Sequence, residues 1–331
     1  MRHTAVGLMV LLTLSMLGVP LDATAQQPSR TVPRIGVFFG GSLASEAASI
    51  EAFQQGLHAL GYVDGQSIVI EYRYGEGKTK RFPALVTELI RRHVAVLVVG
   101  GATAARAAKQ VTTKIPVVMV NVTDPVAIGL VPSLARPGGN LTGVSNMSPE
   151  LGVKRLELLK ELVPQLTRVA ILGDPSSPSH PPQWRDMQSA ARSFGVQVRS
   201  WEVREPQPNF ASTFAAIITS RADALITLSQ PLLDVYADQI VAFTVTQRLP
   251  AIFNRRKFME AGGLMSYGAN VADLFRRAAG FVDRILQGAR PAELPVEQPV
   301  KFDLVINLKT AKAMGLTISP TLLFQATEVV E

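Results

Sequence analysis

The chain has 331 residues, a net charge of +7 and no cysteine. This length is sufficient for two ordinary domains, and an apolar share of 47% excludes a disordered chain. Without cysteine there is no disulfide, no thiolate metal ligand and no cysteine nucleophile. The basic residues are scattered, their densest cluster is Arg255-Arg256-Lys257, and no basic helix alternates with aromatic residues, so we expect no nucleic-acid partner.

The first 25 residues have the pattern of an export signal. Arg2 precedes an apolar run at residues 4–19, and Ala23-Thr24-Ala25 forms a small-residue cleavage site. The run is short for a membrane span, although an uncleaved anchor is the alternative. We therefore expect residues 1–25 to be a signal peptide cleaved near Ala25, with the mature chain in the periplasm.

Strands and helices alternate along the first half of the mature chain. Buried apolar runs predict strands at residues 34–39, 67–72, 94–99 and 115–120, and one-sided apolar spacing predicts helices at 44–60, 81–92 and 103–110. Pro125 follows the fourth strand, and residues 141–145 are expected to form one more short strand. This order predicts a parallel sheet with helices on both faces.

The pattern starts again after residue 145. We expect helices at residues 149–162, 183–194, 210–220 and 231–247, and strands at 168–172, 196–203, 222–228 and 249–253. Each half contains a buried strand, a polar turn, a helix and a strand that follows a proline. This last strand ends at Asn121 in the first half and at Asn254 in the second. Two similar doubly wound lobes facing a shared cleft are the architecture of a hinged binding protein.

The C-terminal part does not form a third lobe. It contains expected strands at residues 263–267 and 302–307, helices at 270–286, 310–314 and 321–329, and an extended segment at 292–301. We expect these elements to complete both lobes through three chain crossings at a hinge. Lobe 1 then comprises residues 33–145 and 263–297, and lobe 2 comprises residues 146–262 and 298–331.

Three segments resemble a known family. Asp124-Pro125-Val126, the stretch from Arg136 to Ser145, and Leu294-Pro295-Val296-Glu297 with the segment that follows it are similar to ABC-transporter solute-binding proteins. The resemblance covers the chain from Pro33 onward. It implies the type 1 periplasmic-binding fold, an aromatic amino acid of the tryptophan or tyrosine class as the ligand, and an ATP-driven permease in the inner membrane as the partner.

A zwitterionic ligand needs donors for its carboxylate and acceptors for its ammonium group. Helix N-termini supply the donors, because their first N–H groups lack partners. Asp124 is the leading candidate for the ammonium group, with a helix cap as the alternative. The candidate ligand-binding residues, each of which has a similar turn, capping or packing alternative, are Phe39, Gly41, Ser42, Gly101, Thr103, Asn121, Asp124, Asp174, Ser176, Ser229, Gln230 and Asn254.

Catalytic motifs are missing from the sequence. His58, His93 and His180 lie on unrelated segments, and no HExxH, GxSxG or Walker A pattern occurs. We therefore expect a monomeric, non-enzymatic, cofactor-free solute-binding protein of an ABC importer, which closes its lobes on a small zwitterionic solute. A sensory protein that serves a receptor kinase is the alternative, and a secreted hydrolase on the same fold is a weaker one.

Overall fold

The computed structural model describes residues 32–204 and 206–331, so the expected signal peptide lies outside the described residues. Two β-sheets organise the described part of the chain, and helices cover both faces of each sheet. No helix within the described ranges is long and apolar enough to cross a membrane.

Lobe 1 is built on a parallel sheet of five strands. In chain order its elements are β1 (Arg34–Phe39), α1 (Leu43–Ala59), β2 (Val69–Tyr74), α2 (Phe82–Arg91), β3 (Val96–Gly100), α3 (Ala102–Val111), β4 (Val117–Val122) and β5 (Leu141–Ser145). The strand order is β2-β1-β3-β4-β5, which places β3 at the centre. The central strands are almost wholly apolar because both of their faces are buried.

Lobe 2 repeats this plan with a larger sheet. It contains α4 (Ser148–Leu162), β6 (Arg168–Gly173), α5 (His180–Phe194), β7 (Gln197–Glu202), α6 (Phe210–Thr219), β8 (Ala224–Thr227), α7 (Pro231–Val235), α8 (Ala237–Thr246), β9 (Ala251–Phe253), α9 (Lys257–Glu260) and β10 (Met265–Ala269). The chain then continues through α10 (Val271–Leu286), β11 (Phe302–Asn307), α11 (Leu308–Met314), α12 (Pro320–Gln325) and β12 (Glu328–Val330). The sheet order is β12-β11-β10-β9-β8-β6-β7, and only the β10–β11 pair is antiparallel.

The chain passes between the sheets three times. The crossings lie between β5 and α4, between β10 and α10, and between Glu297 and β11. Before the third crossing, Glu297 bonds to the backbone of β5: its N–H donates to Gly143 O at 2.9 Å, and its carbonyl accepts from Ser145 N at 2.8 Å. These observations confirm the expected two-lobed α/β fold with three crossings.

The expected lobe boundary is wrong for β10. The strand was assigned to lobe 1, yet it pairs with β9 and β11 in the sheet of lobe 2. The helix α10, not the strand, returns to lobe 1, where it packs against α1. Gly56 permits this approach, because a Cβ atom at this position would lie 2.6 Å from the carbonyl oxygen of Arg276.

Two other elements differ from the sequence-based prediction. The helix expected at residues 231–247 is divided at Tyr236. Just before this break, the ammonium group of Lys257 donates to the carbonyl oxygen of Asp234 at 2.6 Å. The last expected helix ends at Gln325, and Thr327 N donates to Leu304 O at 2.8 Å. This bond begins the pairing of β12 with β11. The β-branched valines of β12 favour a strand.

Candidate functional site

The C-terminal ends of the central strands of both lobes meet at a cleft, which we call the central cleft. It is lined by Gly40, Gly41, Glu46, Gly100, Gly101, Ala102, Thr103, Asn121, Thr123 and Phe275 from lobe 1, and by Ser177, Ser179, Ser229, Gln230, Pro231, Asp234 and Arg255 from lobe 2. Its cavity has a volume of about 40 Å³, which is room for a few water molecules. The lobes therefore stand close together around this cleft.

Six of the twelve sequence-predicted residues line this cleft: Gly41, Gly101, Thr103, Asn121, Ser229 and Gln230. Gly101 precedes α3 with φ of 85°, so the first N–H groups of this helix begin at the cleft wall. The hydroxyl of Thr103, in the first turn of α3, is buried and has no partner within the described residues. Asn121 has φ of 58° at an irregularity in the β4–β5 pairing, and its carbonyl and side-chain oxygens accept from Asn146 Nδ2.

Phe39 and Ser42 were predicted to face the ligand, and neither lines the cleft. Phe39 is buried in the core of lobe 1, where its ring centroid lies 5.2 Å from that of Phe275. Phe275 on α10 is therefore the aromatic residue of the cleft wall, with Phe39 one layer behind it. The hydroxyl of Ser42 caps α1 by accepting from Ser45 N at 3.2 Å.

Asp124 also lies outside the cleft lining, and its Oδ1 accepts from Ala127 N at 3.0 Å. The capping alternative therefore accounts for the hydrogen bond that this carboxylate accepts.

Asp174 and Ser176 shape a loop of lobe 2 without reaching the cleft. The carboxylate of Asp174 accepts from the N–H of Ser176 at 2.9 Å and from its hydroxyl at 2.6 Å. Gln230 does line the cleft, but its side-chain amide bonds to the backbone N–H and C=O of Asp174. The amide of Gln230 therefore fixes the loop that carries Ser177 and Ser179.

Charged residues that the sequence reading missed form an acid–arginine cluster across the cleft: Glu46, Asp234 and Arg255. Arg255 Nη1 donates to Asp234 Oδ2 at 2.6 Å within lobe 2, and Arg255 Nη2 lies 3.6 Å from Glu46 Oε2 of lobe 1. The second carboxylate oxygen of Asp234 is buried without a hydrogen-bond partner in the described part of the chain. The sequence signal was present in the basic triplet at 255–257.

That triplet is occupied by partners inside the protein. Arg256 forms a bidentate pair with Glu328, and Lys257 bonds to the backbone of Asp234. The three basic side chains of this cluster are therefore each paired with an acid or a carbonyl oxygen of the protein itself.

Burial and mutual charge set the electrostatics of the acid–arginine cluster. Burial raises the pKa of Glu46; Arg255 opposes this effect, and the nearby Asp234 adds to it. Burial alone would lower the pKa of Arg255, but Asp234 and Glu46 together raise it. The guanidinium is thus firmly charged, whereas Glu46 holds its proton more readily than a solvated glutamate.

A smaller cavity, which we call the hinge pocket, adjoins the central cleft. It is lined by Asn121, Asn146, Leu151, Arg155, Ser229, Asn254, Arg255, Ala269 and Val271. It shares Asn121, Ser229 and Arg255 with the central cleft and reaches the β10–α10 crossing. Asn254, the seventh predicted residue brought to the site, lies here with Oδ1 accepting from Thr227 Oγ1 at 3.2 Å.

Comparison with known proteins identifies the family. Residues 37–330 match the model of the ABC transporter substrate binding protein family. The chain belongs to this family. One relative, the tyrosine-binding protein of Clostridioides difficile, is 25% identical over 273 residues, which are 80% of this chain and 76% of that protein.

Solved structures share the fold over nearly the whole described chain. The ABC domain from Streptococcus pneumoniae in complex with L-Trp has a TM-score of 0.83 and 28% identity, over 90% of this chain and 99% of that one. A conserved domain protein from Vibrio cholerae has a TM-score of 0.84 and 24% identity over the same shares. The resemblance noted in the sequence is therefore confirmed, and the relatives in this family are solute-binding proteins.

Proposed function

We propose that this protein is the periplasmic solute-binding component of an ABC importer and that it holds a small zwitterionic solute, an aromatic amino acid, between its lobes. The observation that carries the proposal is the pair of unpartnered buried polar atoms near the strand ends. Asp234 Oδ1 is an acceptor, and Asn254 Nδ2 is a donor, and neither has a partner within the described residues. A buried polar group without a partner costs about 1–3 kcal/mol, so both favour a ligand that carries a donor and an acceptor.

The charges of the acid–arginine cluster support an ammonium group at this end of the ligand. Two carboxylates, Glu46 and Asp234, share the guanidinium of Arg255. A ligand ammonium group would donate to the free oxygen of Asp234 and lie near Glu46. It would thereby supply the second positive charge that the two acids lack.

The apolar part of the cleft and the named relatives support an aromatic side chain. Phe275 presents a ring, and Gly40, Gly41, Gly100 and Gly101 leave the neighbouring wall of the same lobe without side chains. An aromatic ring stacks well on such surfaces. The relatives named for tyrosine binding and solved with L-Trp give the same ligand class.

Export and lobe closure complete the proposal. The pattern of residues 1–25 is that of a secretory signal, and the family is defined by transport. Because the cavity is small as the lobes stand, the solute enters a more open form, and closure brings Glu46 of lobe 1 to Arg255 of lobe 2. The closed form is the one that the permease would recognise.

Calorimetry and thermal unfolding of residues 26–331 test the proposal against the common amino acids, small carboxylates, sugars and nucleosides. A ligand at a hundredfold excess over its Kd stabilises the folded chain by about 2.7 kcal/mol, which raises the Tm by several degrees. We expect such a rise with L-tyrosine or L-tryptophan. A rise only with sugars or nucleosides, or none with any amino acid, would overturn the proposed ligand class.

A further inference from the structure

We infer that Arg155 binds the carboxylate of the solute in the hinge pocket, with Asn254 as a second donor. The inference rests on the proposed function and assigns the part of the site that recognises the acid. It concerns a residue in the middle of α4, outside the polar loops where ligand contacts are usually sought.

Arg155 is a buried cation without an acid partner. Its side chain is 2% exposed, and no carboxylate of the described residues lies within ion-pair distance of it. Burial lowers its pKa to about 10, and Tyr267 alone opposes this effect. A desolvated guanidinium is stable only when it is paired, so its environment favours the arrival of an anion.

A second donor in the same pocket points to the same ligand group. Asn254 is 5% exposed, and its Nδ2 has no acceptor among the described residues. Both residues line the hinge pocket, and Gly268 lies between them: a Cβ atom there would lie 2.4 Å from the backbone carbonyl oxygen of Asn254 and 3.9 Å from Arg155 Nη2. A guanidinium and an amide N–H on neighbouring sides of one pocket match the two oxygens of a carboxylate.

The position of Arg155 gives the bound solute a direction. Three residues line both the hinge pocket and the central cleft, so the two spaces are contiguous. The acid–arginine cluster lies at the cleft end with an unpartnered acceptor, and Arg155 lies at the hinge end with an unpaired positive charge. A zwitterion with its carboxylate toward the hinge and its ammonium group toward Asp234 satisfies both ends.

A purely structural role for Arg155 is the competing explanation. Its Nε donates to Tyr267 O at 2.7 Å, which ties α4 to β10 beside the second crossing. That bond uses one of the five N–H groups of the guanidinium and no negative charge. A structural role and a carboxylate-binding role therefore differ in one measurable respect, the discrimination between an acid and its amide.

The test compares L-tyrosine with L-tyrosinamide, and L-tryptophan with L-tryptophanamide, by calorimetry on wild type, Arg155→Met, Arg155→Lys and the control Lys154→Met, which removes a neighbouring cation of the same helix. We expect wild type to bind the acid at least about thirtyfold more tightly than the amide. In Arg155→Met this ratio should fall to about threefold or less. In Lys154→Met the ratio should stay at the wild-type value, because that lysine pairs with Glu157 on the helix surface and lines neither cavity.

Each other outcome overturns a specific statement. If wild type binds acid and amide equally, the inference is wrong and the proposed function stands. If the wild-type ratio is high and Arg155→Met weakens both ligands equally, Arg155 is structural and the carboxylate is bound elsewhere. If Arg155→Met does not fold, Arg155→Lys decides, since the loss of the planar fork should still reduce the ratio by about tenfold. If no amino acid binds, the proposed function fails together with the inference.

Discussion

Replacing Glu46 with glutamine should stabilise the ligand-free protein at pH 8 and leave its stability unchanged at pH 4. Glu46 lies in the first turn of α1, is 7% exposed and faces Arg255 of the other lobe. The substitution keeps the shape of the side chain and removes its charge. Asp234 remains as the partner of Arg255, so no buried cation is left unpaired.

The expected sign follows from two opposing energies. At 3.6 Å and an effective dielectric constant of about 20, the attraction between Glu46 and Arg255 is about 5 kcal/mol. Burial of the carboxylate opposes it by several kcal/mol, and Asp234 adds repulsion. Because the pKa of Glu46 is raised, the opposing energies win. The stability that Glu46 contributes is therefore present below its ordinary pKa and is lost as the pH rises through the raised value.

Urea unfolding at pH 4, 6 and 8 measures this difference. Wild type should lose stability relative to Glu46→Gln as the pH rises, by about 1 kcal/mol or more at pH 8. Glu51→Gln, an exposed substitution on the same helix, is the matched control and should follow wild type. If Glu46→Gln were less stable than wild type by about 3 kcal/mol at pH 8, the ion pair would dominate and the reasoning would be refuted.

Three further expectations follow from the contacts described. Asp124→Ala should leave ligand affinity unchanged in calorimetry and lower the free energy of unfolding by about 1 kcal/mol, because this carboxylate caps a turn. Gly143→Ala should lower the free energy of unfolding by more than about 3 kcal/mol in urea unfolding, or prevent folding, because the new Cβ would lie 1.9 Å from Met119 O at φ of 135°. The control Gly139→Ala lies in open space and should lower it by about 1 kcal/mol. Affinity for an amino acid should fall as the pH is lowered and Glu46 protonates, and Glu46→Gln should lack this dependence in calorimetry at pH 5 and pH 8.

The fold could be predicted from local pattern because its central strands are buried on both faces. The runs at residues 96–99 of β3 and 117–120 of β4 are apolar without interruption, and small polar turns separate these strands from the helices. The errors of the sequence-based prediction occur where a long-range contact determines the structure. The lobe of β10 depends on its pairing with β11, and the break before α8 lies beside a hydrogen bond from Lys257, a residue of a later helix.

The candidate site was predictable only where backbone geometry creates it. The rule that ligands gather at the carboxyl ends of parallel strands located Gly101, Asn121 and Ser229. Glu46 and Arg155 were missed because a charged residue in an amphipathic helix is usually solvated. Their burial depends on the facing lobe and on the hinge, which no local spacing encodes.

The segment with the strongest family pattern mainly maintains the fold. In the turn at Arg136–Asn140, the side chain of Asn140 donates to Ile115 O at 2.7 Å, and Gly138 and Gly139 have φ near 60°. These contacts position β5 beside β4. The motif therefore identifies the family, while the charged residues outside it are the candidates for ligand recognition.

For the proposed zwitterionic solute, the distribution of charge between the lobes gives an order of binding. Arg155, Asn254, Asp234 and Arg255 all belong to lobe 2, whereas lobe 1 supplies backbone N–H groups, Thr103 and the single acid Glu46. A zwitterion can therefore engage both of its charges on lobe 2 while the cleft is open. Closure then adds the contacts of lobe 1.

This order separates two classes of variant in stopped-flow binding measurements. Thr103→Val removes a lobe 1 hydroxyl that is reached only on closure, so it should raise the dissociation rate and leave the association rate within about twofold of wild type. Asp234→Asn removes a charge met in the open form and should lower the association rate, with a weaker dependence on salt than wild type. If Thr103→Val instead slowed association as much as Asp234→Asn, the solute would meet both lobes at once, and capture by lobe 2 before closure would be ruled out.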